Sequence, residues 1–260
     1  MLVFIEVDLL TAIHQRRSHR GDFESKPICQ EHLDQLIEAA RWAPSPFNVQ
    51  PWKLLIISDS ESKNAISDLT ELAIIEQFKD ARFLDDNSRW IRFSEEEWMG
   101  ERDGILLSDH LKLPPPFDRD PTKVKPILKN AGFLSFLGHL KAGKIPAKEI
   151  SAQVRNSPVL ILIVMDHQRR PPGGGGQRWM WLGMGAMIQN LLLTAAMLEI
   201  GVQFVSAPIE RAEDRKSLGK VVNMPSSCEV ISLLRIGYAK QVVQKSVRLD
   251  PSEFVCYESF

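Results

Sequence analysis

The sequence is short of cysteine and carries no surplus charge of either sign. Cys29, Cys228 and Cys256 are odd in number and lack CxxC spacing. That argues against a disulfide framework and a zinc site, and it fits a reducing cytoplasm. Thirty-two basic residues face thirty-three acidic ones, a formal charge of -1. No global field therefore draws the chain to nucleic acid or an anionic membrane, and any basic site must be local. There is no G-x-S-x-G elbow, no H-E-x-x-H and no G-x-x-x-x-G-K-[ST], and the six histidines lack ligand spacing. Metal hydrolysis and P-loop ATP chemistry drop out, and no metal is expected. Gly173 to Gly176 do not form G-x-G-x-x-G after a strand and read as a plain turn. The most apolar stretch, residues 181–207, is interrupted by Gln189, Asn190, Glu199 and Gln203, so it reads as core rather than a membrane span. The N-terminus has acidic residues where an export signal would have a basic start.

What is present is an ordinary globular composition, 44% apolar and 25% charged, over 260 residues. One domain with an insertion is expected. Leu33, Leu36, Ile37 and Ala40 have helical spacing in 28–42, and the run stops at Pro44. Residues 53–58, 158–166 and 229–238 read as buried strands, and 61–83 as a helix on a charged background. Residues 183–200 are apolar on nearly every face, which for a helix means cover on all sides, by core or by another subunit. Residues 85–153, with many prolines and with Trp90, Phe93, Trp98, Phe117, Phe133 and Phe136, form an inserted, mostly helical region. Two readings of its aromatics stand: a lid whose rings stack on a flat acceptor, or a satellite core.

Three stretches concentrate binding chemistry. Arg16-Arg17-Ser18-His19-Arg20 places three guanidiniums and a hydroxyl within one turn. Such forks match phosphate bidentately, but a basic run at a helix C-terminus also complements the macrodipole in solvent. Lys245-Ser246-Val247-Arg248 repeats the chemistry after a strand and converges with the first cluster if the termini meet. Between Ala39 and Trp52 a helix runs into a turn carrying Ser45, Asn48 and Gln50 among Pro44, Pro46 and Pro51. That turn either orients a polar heteroaromatic ligand or is a rigid loop in which Asn48 caps its own backbone.

Taken in order, Arg16-Arg17-Ser18-x-Arg20, then Ala39-Ala40-Arg41-Trp42-Ala43-Pro44-Ser45-x-x-Asn48-x-Gln50-Pro51-Trp52, a glycine-flanked apolar helix and Lys245-Ser246-x-Arg248 resemble the FMN-dependent nitroreductase family. The likeness covers residues 13–58 and 158–254. It implies an α+β fold with a central, mostly antiparallel sheet flanked by helices, completed by homodimerisation with FMN at the subunit interface; the insertion 85–153, a mostly helical lid region or a structural one, lies outside the likeness. By the resemblance, Arg16, Ser18, Lys245 and Arg248 hold the phosphate and ribityl end, Arg17 contributes through its backbone or is structural, and Arg20 reaches the pyrimidine edge of the ring. Pro44, Ser45 and Asn48, with Gln50 beside them, form the loop that reaches the partner's flavin. The mechanism implied is ping-pong: NAD(P)H reduces the flavin at N5, and a small aromatic acceptor such as a nitroaromatic or quinone then takes its place. No catalytic side chain is obligatory, because the cofactor carries the chemistry. Neither nucleic acid nor membrane is expected as a partner. Two departures stand out. Val205 to Glu210, with Ala207 and Pro208 at its middle, lies where the family places backbone donors near N5, and Pro208 has no N–H, so Ala207 or Ile209 would have to serve. Pro46 replaces a residue that is often small and polar. A specialised relative (reductive dehalogenase, dehydrogenase or flavin-cleaving enzyme) and a non-catalytic flavin store or sensor are the alternative readings.

Overall fold

The computed structural model describes residues 8–109, 113, 117–239 and 245–259. In chain order the helices and strands are α1 (Leu9–Gln15), α2 (Gln30–Arg41), β1 (Trp52–Ile57), α3 (Ser60–Gln77), α4 (Ala81–Ser88), β2 (Ile91–Arg92), α5 (Glu95–Glu101) and β3 (Ile105–Leu106). There follow α6 (Lys125–Leu128), α7 (Ala131–His139), α8 (Lys144–Arg155), β4 (Val159–Asp166), α9 (Gly176–Met197), β5 (Ile200–Phe204), α10 (Ala207–Glu210), α11 (Ala212–Val221) and β6 (Cys228–Tyr238). The chain divides into two compact units, residues 1–70 with 150–243, and residues 71–149 with 244–260.

The first unit is built on a four-stranded sheet in the order β1-β4-β6-β5, antiparallel throughout. Val159 to Asp166 is buried on both faces, as expected of a central strand written almost wholly in β-branched and aliphatic residues. Alternate side chains divide the core. Val159, Ile161, Ile163 and Met165 meet Leu36 and Ala40 of α2 and Met180, Met184, Met187 and Leu191 of α9. Leu160, Leu162 and Val164 meet Ile66 of α3 and Leu218 of α11 on the opposite face. By length and composition α9 is long and apolar enough to cross a membrane. Its methionine and leucine stripe is nevertheless core, and Asn190 Nδ2 donates to Ala39 O at 3.0 Å to fix it against α2.

Two expectations need correction. The apolar run 183–200 is not one helix: α9 ends at Met197, Glu199 takes a left-handed backbone at φ 56°, and Ile200 opens β5, the sheet's fourth strand. The helical pattern of 61–83 is likewise two helices, because the chain turns at Phe78 to Asp80 and the Asp80 carboxylate accepts from Arg82 N and Phe83 N to start α4.

The second unit has its own small core of Phe93, Leu107 and Val124 beside the parallel pair β2–β3. Ser94 caps α5, whose first turn carries Glu95, Glu96 and Glu97, favourably placed at a helix N-terminus. Phe93 and Trp98 are buried here, whereas Trp90, Phe133 and Phe136 are exposed.

Candidate functional site

The stretch from Arg16 to Phe23 runs along and across the β5–β6 end of the sheet. It leaves α1 at Arg16, pairs at Ser18 with Val202 of edge strand β5, and pairs at Phe23 with Ala239 just beyond β6. His19 N donates to Val202 O at 2.8 Å and Glu24 N to Tyr238 O at 2.9 Å. Between those two anchors the backbone passes over Gly201 and Gly237, which are cross-strand partners. A Cβ on Gly201 would lie 2.9 Å from His19 Cβ, and one on Gly237 would lie 2.5 Å from Phe23 Cγ. Only glycine at both positions lets the segment lie this close.

The carbonyls of this segment are taken up one after another. Arg235 of β6 donates from its NH2 nitrogen to His19 O at 3.4 Å and to Gly21 O at 2.7 Å, Gln153 Nε2 donates to Arg20 O at 3.4 Å, and His19 Nε2 lies 3.0 Å from Asp22 O. Arg235 is itself aimed by Gln203 on β5, whose Oε1 accepts from Nε at 2.5 Å, and its guanidinium lies 4.6 Å from the Phe23 ring centre. At 2% exposure it is a buried cation. Burial pushes its pKa down to about 10, with Asp22 opposing, so it stays protonated at neutral pH.

On this fixed backbone Arg16, Ser18 and Arg20 are half-buried. The Arg17 NH1 nitrogen donates to His14 O at 2.6 Å and to Arg16 O at 2.8 Å, closing the end of α1.

The turn after α2 is a second candidate. Ser45 Oγ accepts from Gln50 N at 2.9 Å, Ser45 O from Asn48 N at 2.9 Å, and Asn48 Oδ1 from Gln50 Nε2 at 2.9 Å. Ser45, not Asn48, caps the turn. Phe47, Asn48 and Gln50 have φ of 52°, 52° and 46°. For Phe and Gln this is an uncommon backbone state that costs of order 1 kcal/mol each. Phe47 is 79% exposed and Trp42 73%. Two outside groups hold the turn: Arg169 donates to Val49 O at 3.2 Å, and Gly183 of α9 has no side chain to push Ser45 and Pro44 away.

Ala207 and Pro208 are buried in α10, shortly after β5, and the Ile209 amide donates to Ser206 O at 2.9 Å. Lys245 and Arg248 lie in the second unit. There Lys245 pairs with Glu95 at 2.5 Å, which raises its pKa, and Arg248 bonds to Ser246 Oγ and, at 2.5 Å, to Val247 O. Sequence reading missed Arg235, Gln203, Gln153 and the Gly201–Gly237 pair. A lone cation inside the otherwise uncharged run Ile231 to Gly237 was the available signal.

The profile of the nitroreductase family matches residues 13–238. The chain belongs to that family, and its α+β fold with an antiparallel sheet is the family's. A 4-nitrobenzoate reductase from Pseudomonas putida is 22% identical over 236 residues, 90% of this chain and 86% of the relative. Among solved structures, nitroreductase A from Vibrio parahaemolyticus superposes with a TM-score of 0.60 at 13% identity, covering 97% of this chain and 76% of that one. The NADPH:FMN oxidoreductase from Vibrio harveyi complexed with NAD+ gives 0.59 at 14% identity, covering 97% and 77%. At such identities the structural likeness speaks for the fold alone.

Proposed function

We propose that the protein is an FMN-dependent NAD(P)H oxidoreductase acting on a small aromatic acceptor of the nitroaromatic or quinone class. The observation that carries this reading is the Arg16–Arg20 segment: two half-buried guanidiniums and a hydroxyl stand on a backbone whose carbonyls at positions 19 to 22 are all engaged elsewhere. Guanidinium forks and a hydroxyl are the donor types that a flavin phosphate requires. Arg16 and Ser18 hold the phosphate end, and Arg20 faces the pyrimidine edge of the ring, where a fixed cation favours the reduced state. Bound FMN supplies two-electron chemistry between nicotinamide donor and acceptor. The chain's part is to bind, orient and tune it.

The site is shared between two copies. Trp179, Trp181 and Leu182 of α9 and Leu9, Leu10 and Ile13 of α1 are exposed in the single chain, more large apolar surface than a monomer comfortably presents to water. A second copy covers them, and the Pro44–Gln50 turn then reaches the partner's flavin with Ser45, Asn48 and Gln50. The three free cysteines suit a reducing compartment.

Purification tests this directly. The expected protein is yellow, sediments as a dimer, bleaches on anaerobic addition of NADPH or NADH, and passes its electrons to 4-nitrobenzoate or a benzoquinone. A colourless chain that takes up no added FMN would sink the proposal. A bound flavin that neither nucleotide reduces would leave a store or sensor.

A further inference from the structure

We infer that Arg235 is a positioning residue for flavin binding: from strand β6, beneath the segment, it fixes Arg16–Arg20 in the one conformation that presents Arg16, Ser18 and Arg20 to the cofactor. The inference rests on the FMN reading above and adds a residue to it.

Three observations point to this role rather than to packing alone. First, a buried cation in a strand is costly, and a residue of similar length without charge would fill the same volume more cheaply. Second, the guanidinium's bonds are directional. Nε goes to Gln203 on the neighbouring strand, and one terminal nitrogen spans the carbonyls of His19 and Gly21, on either side of Arg20. Two carbonyls two residues apart, held by one planar group, fix the peptide planes that set the direction of the Arg20 side chain between them. Third, the groups around it are shaped to the same end. Gly201 and Gly237 remove the side chains that would lift the segment, Phe23 closes over the guanidinium, and Gln153 takes the Arg20 carbonyl that Arg235 leaves. A lysine at 235 would place one ammonium where a fork is needed and could not serve Gln203 and both carbonyls together.

The test compares FMN with riboflavin, which lacks the phosphate, by fluorescence titration of the apoprotein. Global loosening of the fold weakens both ligands alike, whereas misplacement of the phosphate-binding segment reduces the preference for FMN. We expect Arg235→Met to fold, by circular dichroism, and to lose about tenfold or more of the wild-type preference for FMN, the scale of one or two charge-assisted hydrogen bonds. Arg235→Lys should recover part of it. Should Arg235→Met fail to fold, Gln203→Leu, which removes the acceptor that aims Nε, carries the test through a smaller loss of the same preference. An unaltered preference in a folded variant, with wild type binding normally, overturns the inference and leaves the functional reading intact. Wild type that binds neither flavin overturns both.

Discussion

Between Arg16 and Phe23 the backbone is held by other elements, while between Pro44 and Gln50 it is held mainly by itself. The first segment has anchors on β5, β6 and α8, through Val202, Arg235 and Gln153. The second closes on its own Ser45, Asn48 and Gln50, with three positive φ values, while Arg169 reaches in from outside and Gly183 lies against it. A segment clamped from below cannot move without the sheet, and this suits a site that must be ready before its ligand arrives. A self-closed turn can project from the body and keep its shape while its outer face meets another molecule. Under the proposed function the difference would divide the labour: one stretch to grip the cofactor within its own chain, the other to reach a partner.

The strongest way to break this contrast is to lift the clamped segment. Gly237→Val places a side chain where its first carbon would be 2.5 Å from Phe23 Cγ, so Phe23 must leave or the strands must part. The expected destabilisation is about 3 kcal/mol, the upper range for forced overpacking, read from urea unfolding, with loss of bound FMN. Near-wild-type stability would mean that the seat is looser than the geometry indicates.

Next comes the grip itself. Arg16→Ala should weaken FMN about 100-fold, as expected for removal of a charge-assisted phosphate contact, with little change in unfolding. Arg20→Ala should instead lower the flavin's potential more than its affinity, as measured by dye-linked titration. Equal effects on both quantities in the two variants would erase the distinction between phosphate end and ring.

Both stretches were legible in the sequence because each packs its polar chemistry into a few consecutive residues, and so was the order of β1, β4 and β6. What could not be read has a common cause. β5 follows α9 after a break at Glu199, and apolar residues on both sides leave no change of periodicity to mark where helix becomes strand. The face of α9 that stays exposed is hidden for the same reason. Arg235 owes its role to strand register and to a segment more than 200 positions earlier, information that no local pattern contains. Arg17, adjacent in sequence to Arg16, donates to the carbonyls of His14 and Arg16, a partnership that the run of arginines does not announce.

The self-held turn should be softer than the clamped one. Ser45→Ala leaves the Gln50 amide without its acceptor, an expected cost of about 1 kcal/mol. The more telling readout is the oligomer. A turn that reaches a partner should, once loosened, weaken dimerisation in sedimentation runs at low concentration, and a dimer unchanged on dilution would count against its role as an arm.

The smallest effect concerns where that arm is tied down. Asp166, at the end of β4, accepts from the Lys53 ammonium at 2.9 Å, and its amide donates to Pro51 O at 2.7 Å, so it secures the chain just as it leaves the turn and enters β1. The bond from Lys53, helped by the Gln168 amide, holds the Asp166 carboxyl below its ordinary value of 3.8. For an acid with a depressed folded-state pKa, the added stability is complete above that ordinary value and disappears as pH falls through the folded one. Lys53 is about half exposed, so water screens the pair and its contribution should be small. Asp166→Asn should therefore cost little at pH 7 and flatten the fall in stability below pH 4, in urea melts across that range. If the variant lost stability with acid as steeply as wild type, the anchor of the arm would have to be sought in Arg169 instead.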